Sequence, residues 1–350
     1  MTNSARNTAW TAAVVASLCH LAVIAQSPAA PVEVALTPTV KVVFADVDEG
    51  RRLARASDDY SRRTGALERQ LKVRTTRELS EADYLNELAA DVRAWPDDER
   101  ERVSRLLESL REPLARMPLP LPARVALIRM SGRVNGEHVA YTRGNEIYLP
   151  SDMLSKEAPP QMLRELIAHE LYHVASRQDR AWRDAMYAIV GFQPMAEAVL
   201  PAALQARRLT NPDAPKMDSA IRVTVEGRGP VWVMPLLLST IDRIDAEPPQ
   251  HFFLVLSLHW LEVGRGDALP KQVAIGDPPV LHDTRTLQGF AEAIGRNTGY
   301  IIHAEEILAS NFMQMVAGTL PRSPEIHARM REVMTRRAAP NTLSAVALPR

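Results

Sequence analysis

Cysteine is all but missing from this sequence: the 350-residue chain has one, Cys19. A mature chain beginning beyond it would hold no thiol, which excludes cysteine nucleophiles, thiolate metal sites and a disulfide scaffold. Glycine is scarce too, with 15 residues, so a triple helix with glycine at every third position is impossible. Net charge is absent, 42 Lys+Arg standing against 42 Asp+Glu. A general nucleic-acid binder needs a basic excess to neutralise phosphates, and an acidic disordered tail needs the opposite imbalance. Beyond the first thirty residues no long apolar run occurs, which excludes a multi-spanning membrane protein. What is there is ordinary for a soluble globular chain, 46% hydrophobic and 24% charged. At about 150 residues per domain, its length suits one large or two ordinary domains.

The first thirty residues differ from the rest. Met1 to Thr8 is polar with one cation, Arg6; Ala9 to Ala25 is almost wholly apolar; Gln26 to Pro31 is small and turn-forming. That order matches the three regions of a secretory signal. The apolar run is short of the roughly 20 residues a bilayer span needs, and it contains His20. A leader over 1–29 is therefore expected, with export to the periplasm or medium and no stable membrane insertion after cleavage. A lipoprotein cleavage at Leu18-Cys19 is disfavoured, because the residue before the cysteine should be small.

The remainder divides by texture. Asp48 to Val73, Ser80 to Trp95 and Pro96 to Met117 carry apolar residues at spacings of three and four, so 30–117 reads as a helical N-terminal region. Pro96 followed by Asp97, Asp98 and Glu99 marks a helix start. Met117 to Pro122 is a rigid break, and a second region is expected over 118–340 with a loose tail at 341–350. Arg124 to Met130, Glu137 to Thr142 and Glu146 to Leu149 read as short strands. Helices are expected from Pro160 to Ser176 and from Arg180 to Val190. Pro-rich loops around Thr210 to Pro215 lead to β-like runs at Ala220 to Leu238 and Phe252 to Val263. Three further helices are expected at Thr286 to Arg296, Ala304 to Ala317 and Pro324 to Arg336.

Residues 169 to 173 read His-Glu-Leu-Tyr-His, an H-E-x-x-H inside a predicted helix. A step of four advances about one helical turn, so both imidazoles leave the same face. That separation suits one tetrahedral Zn²⁺ bound through two ring nitrogens. Glu170, one position round, is placed to act on water as a general base. With nine histidines such a match can arise by chance. The setting weighs against chance: Leu163, Leu166, Ile167, Leu171, Val174 and Ala175 make this a buried helix, where two histidines and a glutamate need partners or a metal. A metzincin continuation is excluded, because it needs glycine where Ser176 stands and histidine where Asp179 stands.

The leader, the strands ending at Glu146 to Leu149, the HELYH helix and the later Glu305-Glu306-x-x-x-Ser310 segment together resemble a gluzincin zinc metallopeptidase over about residues 125–317. The resemblance implies an α+β, zincin-like fold with Zn²⁺ as cofactor. It implies His169, His173 and Glu306 as zinc ligands and Glu170 as the catalytic base, with Glu146 to Leu149 as the sheet edge that pairs an extended peptide. The long interval between His173 and Glu306 implies an inserted subdomain at about 192–285. Ser310 stands where such enzymes commonly carry an aspartate that supports a ligating histidine, so that support is weaker or comes from elsewhere. The third ligand stays open: Glu305 adjoins Glu306, and Glu197 and Glu226 are further acids in the interval. His303 also reads as a helix cap, with the two acids serving the dipole. Tyr300, His303 and His259 are the candidate donors to an oxyanion, while Tyr172 reads as core.

The expected activity is exported zinc-dependent hydrolysis of peptide bonds, with a peptide or protein as substrate and no nucleic-acid partner. Two alternatives are a zinc hydrolase of a non-peptide amide and a zinc-stabilised binding protein without catalysis.

Overall fold

The computed structural model describes residues 32–338, so the expected leader, with Cys19, and the tail lie outside the described residues. The fold is α+β. A first sheet is built from β1 (Glu33–Ala35), β2 (Lys41–Phe44), β3 (Arg124–Met130), β4 (Tyr141–Arg143) and β5 (Glu146–Pro150), in the order β1-β2-β3-β5-β4. The inner pairs β2–β3 and β3–β5 are parallel, and the outer pairs are antiparallel. Both faces of a sheet with parallel inner strands must be covered, and alternate residues here divide between two cores. Val125, Leu127, Ile147 and Leu149 join the main core, while Ile128, Met130 and Tyr148 join a second one.

Helices supply the covers. On one side lie α1 (Val47–Ala54) and α3 (Glu81–Asp91), while α2 (Ala66–Val73) buries Leu67 and Leu71 in a smaller core with Leu237 and Phe252. Gly50 lets α1 come close, since a Cβ there would stand 2.9 Å from Val92 Cγ1. The other cover comprises α4 (Asp97–Ser109), α5 (Arg111–Arg116), α6 (Pro160–Gln178) and α7 (Arg180–Ile189). Helix α6 is hydrophobic through Leu163, Ile167, Leu171 and Val174, all fully buried. This is helical spacing against a core, worth about 1.5–3 kcal/mol for each such side chain.

The stretch 192–285 holds a second, antiparallel sheet: β6 (Phe192–Pro194), α8 (Ala202–Arg207), β7 (Ser219–Val225), β8 (Gly229–Ser239), β9 (Leu256–Arg265) and β10 (Leu281–His282), in the strand order β10-β9-β8-β7-β6. The chain then returns to the first layer through α9 (Phe290–Ile294), α10 (Ala304–Ala317) and α11 (Pro324–Ala338). Helix α10 packs along α6, with Ile307, Leu308 and Phe312 completely buried between them.

Four expectations need correction. The stretch from residue 30 is not purely helical, because β1 and β2 extend the sheet past β3. These strands are too short to give a periodic signal of their own. The strand expected over Glu137 to Thr142 begins only at Tyr141, since Asn135, Gly136 and His138 adopt positive φ and turn the chain. The helix expected from Thr286 to Arg296 shrinks to Phe290–Ile294, bounded by Gly289 and Gly295 at φ of 83° and 73°. Finally, β5 is an inner strand, so the outer edge near α6 belongs to β4 and not to Glu146 to Leu149.

Candidate metal centre

Helix α6 presents His169 and His173 one turn apart, their rings edge to face with centroids 4.6 Å apart. Helix α10 meets this face with its first turn. His303 caps it, its Nδ1 accepting from the Glu305 backbone N at 3.1 Å. This fixes the first turn so that Glu305 and Glu306 diverge. Glu306 Oε2 lies 3.1 Å from His169 Nε2 and 3.5 Å from His173 Nε2. Glu305 Oε1 lies 2.9 Å from His173 Nδ1, on the other side of that ring. Ser176 Oγ and Tyr187 Oη donate to Glu305 at 2.6 and 2.7 Å, leaving its carboxylate well supplied. The partner of the histidine is thus Glu305, and Ser310 does not fill that role.

Among the described residues, the buried Nε2 of His173 has no hydrogen-bond partner. Its ring is anchored through Nδ1, so Nε2 is aimed at the space shared with Glu306. An unsatisfied buried nitrogen of this kind calls for an explanation, and an ion is one of the standard ones. Ligand-capable atoms of His169, Glu170 and His173 lie within 4.8 Å of one another, and so do those of His173, Asp213 and Glu306. These groups could hold a metal ion. A histidine whose second nitrogen is held by a carboxylate is also the arrangement that orients metal-binding imidazoles.

Glu170 is buried beside them, and Thr142 Oγ1 on β4 donates to its Oε2 at 2.6 Å. That bond leaves Oε1 for another partner. Four carboxyl groups, those of Glu170, Glu305, Glu306 and Asp213, surround the two imidazoles. Burial opposes the charged form of His173, yet Asp213, Glu306 and Glu305 hold it well above the usual imidazole range. Burial likewise opposes ionisation of Glu306, but His173 and His169 hold it well below the usual carboxylate range. Burial pushes the Asp213 carboxyl up, against the pull of His173.

The structure sorts the remaining candidates. Tyr300 stands beside His169, ring centroids 6.4 Å apart. It is nearly half exposed, and the surrounding protein with the nearby Glu306, Asp213 and Glu170 pushes its hydroxyl well up, so it stays a neutral donor. His303 caps α10 through Nδ1 and packs its ring against Tyr187 and Phe192. His259 hydrogen-bonds Ser257 on β9 and feels Arg207 and Asp283, so it belongs to the second sheet. Glu197 pairs with Arg63 at 2.7 Å, and Glu226 lies in the exposed turn between β7 and β8. Tyr172 is core, packed against Trp182 and Phe312.

Sequence reasoning missed the loop after α8. Asn211 Nδ2 donates to Glu306 Oε1 at 2.7 Å, and Asp213 enters the cluster from the same loop. The only sequence signal was Asn211-Pro212-Asp213, which reads as an ordinary turn.

Residues 133–181 match the eCIS core domain (extracellular contractile injection system core). The matched stretch carries Thr142, all of α6 and Arg177, but neither α10 nor the Asn211–Asp213 loop. No curated protein matches the chain, and no solved structure does. What can be said of kinship is that this chain is similar to the eCIS core domain over the β4–β5 hairpin and the helix bearing His169, Glu170 and His173.

Proposed function

We propose that the chain is an exported zinc-dependent peptidase in which His169, His173 and Glu306 hold the metal and Glu170 is the general base. One observation carries this reading: among the described residues the buried Nε2 of His173 has no hydrogen-bond partner and faces Glu306, while Glu305 fixes the opposite nitrogen. Bound there, zinc would supply Lewis acidity and make water ionisable near neutral pH.

The chain's own residues account for the rest. Glu170, kept in place by Thr142, takes a proton from water and returns it to the leaving amine. Glu305, Ser176 and Tyr187 keep the His173 ring from rotating. Tyr300, neutral and at the more open side of the site, donates to the oxygen that gains charge in the tetrahedral transition state. An extended peptide would approach along β4.

A non-catalytic zinc site is the second reading, and Asp213 favours it, because a fourth protein ligand is the mark of a closed structural centre. Casein or a peptide library incubated with zinc-loaded protein, with and without chelator, decides between them. Chelator-sensitive cleavage is expected. Zinc bound at one equivalent with no cleavage of any peptide, even after the Asp213 contact is removed, would overturn the peptidase reading.

A further inference from the structure

Thr142 is the middle residue of β4, and its outward backbone groups should be open to a substrate strand. They are not. Its N–H donates to Asp213 Oδ1 at 2.7 Å, and its carbonyl accepts from Arg177 Nη2 at 3.0 Å. The same Arg177 nitrogen donates to the carbonyls of Pro212 and Asp213, each at 3.0 Å. The loop therefore uses up the pairing edge without forming a strand. It also reaches the metal cluster twice, through Asn211 on Glu306 and through the Asp213 carboxylate beside His173 and Glu306.

The loop is held from outside the site. Thr210 donates to the carboxylate of Glu68 from both its N and its Oγ1, at 2.8 and 3.0 Å. Glu68 is buried in an ion pair with Lys72 on α2. At the other end Lys216 pairs with Asp59 at 2.9 Å. Helix α2 and the turn before it thus clamp a loop that lies between α8 and β7.

We propose that residues 210–216 form an autoinhibitory latch, in which Asp213 serves as a removable fourth metal ligand while the loop occupies the β4 edge in place of substrate. This rests on the zinc reading above. A loop that merely protects a sheet edge needs a cap for Thr142, but it has no need to reach the metal cluster with an amide and a carboxylate. Substrate access then requires the loop to leave, and the apparent affinity of any metal-directed ligand is reduced by the fraction of molecules that are closed.

The test uses the full chain loaded with Co²⁺, whose visible spectrum reports the ligand set, and acetohydroxamate as a probe of an open coordination position. For Asp213→Ala the expected result is unchanged cobalt stoichiometry, an altered visible spectrum, roughly tenfold or more tighter acetohydroxamate binding, and faster peptide turnover. Asp213→Asn keeps the size and the acceptor for Thr142 N, so it serves the same test should Asp213→Ala fold poorly. An unaltered spectrum with unaltered acetohydroxamate affinity would overturn the latch and leave the metal reading standing. Loss of cobalt from both variants would make Asp213 an integral ligand and also overturn it. Failure of the unmodified protein to bind cobalt would instead remove the metal reading itself, and the latch with it.

Discussion

His173 Nδ1 lies 2.9 Å from Glu305 Oε1, while the other nitrogen of the same ring faces Glu306. Two adjacent glutamates on one helix turn therefore do different work. Glu306 reaches the shared centre of the two histidines, and Glu305 fixes which way one of those histidines points. Their order along α10 is set by the His303 cap, which starts the helix one residue before them.

The two glutamates should fail differently when changed. Glu306→Gln removes the proposed ligand and should strip most of the metal. Glu305→Gln should keep metal but weaken its affinity or the activity by about 10–100-fold, the usual effect of losing the partner that orients a ligating imidazole. Metal content and equilibrium affinity, measured on both variants, check this. The opposite pattern would move the ligand role to Glu305.

Glu170→Gln preserves size and can still accept from Thr142, but it cannot take a proton from water. The expected variant is folded, loaded with zinc and slower by about 10²–10⁴-fold. Zinc analysis and peptide turnover on one preparation decide it. Loss of zinc would make Glu170 a ligand, and near-normal turnover would remove its role as base.

Phe312 is fully buried where α10 meets α6, against Tyr172. Phe312→Ala should destabilise the protein by about 3–5 kcal/mol. Because α10 carries Glu306, metal affinity should fall as well, although no ligand is touched. Denaturant unfolding with and without metal measures both. A stability loss with unchanged affinity would show that the core and the site are not coupled through this helix.

The second sheet has its own ionic anchor. Glu262 on β9 is bonded by Arg228, Arg265 and His282 at 3.0, 2.8 and 3.0 Å. Burial alone would raise its pKa, but these three partners bring it from 4.5 down to about 2. A carboxyl with a lowered folded pKa contributes stability that is full above its unfolded value and fades as pH falls through the folded one. The contribution should therefore be present above about pH 4.5 and lost toward pH 2. Thermal melts across that window should fall less steeply with pH for Glu262→Gln than for the unchanged protein. Identical acid limbs would show that the cluster does not stabilise the fold.

Much of this centre could be read from the chain, and the reason is local. His169, Glu170 and His173 are separated by one helical turn, so the helix alone brings them to neighbouring positions. The burial of α6 was legible in Leu163, Ile167, Leu171 and Val174 for the same reason. Glu306 was legible only as one of two adjacent acids, since a sequence cannot say which carboxylate of a first turn faces a neighbouring helix. The outer strand was misplaced because strand order is not a local property: β4 and β5 are neighbours in sequence and in space, and only the pairing of β5 with β3 puts β4 outside.

By itself, then, the sequence determined the helix that carries the histidines, the glutamate placed beside them, and the α+β alternation around them, because each depends on contacts within a few residues. The tertiary structure decided what sequence spacing cannot reach. It assigned Glu305 and Glu306 to opposite sides of His173 through the angle at which α10 meets α6. It also brought Asn211 and Asp213 to the site across a loop clamped by Glu68 and Lys72, more than a hundred residues away along the chain. Such contacts arise from how layers close on one another, and no local periodicity records them.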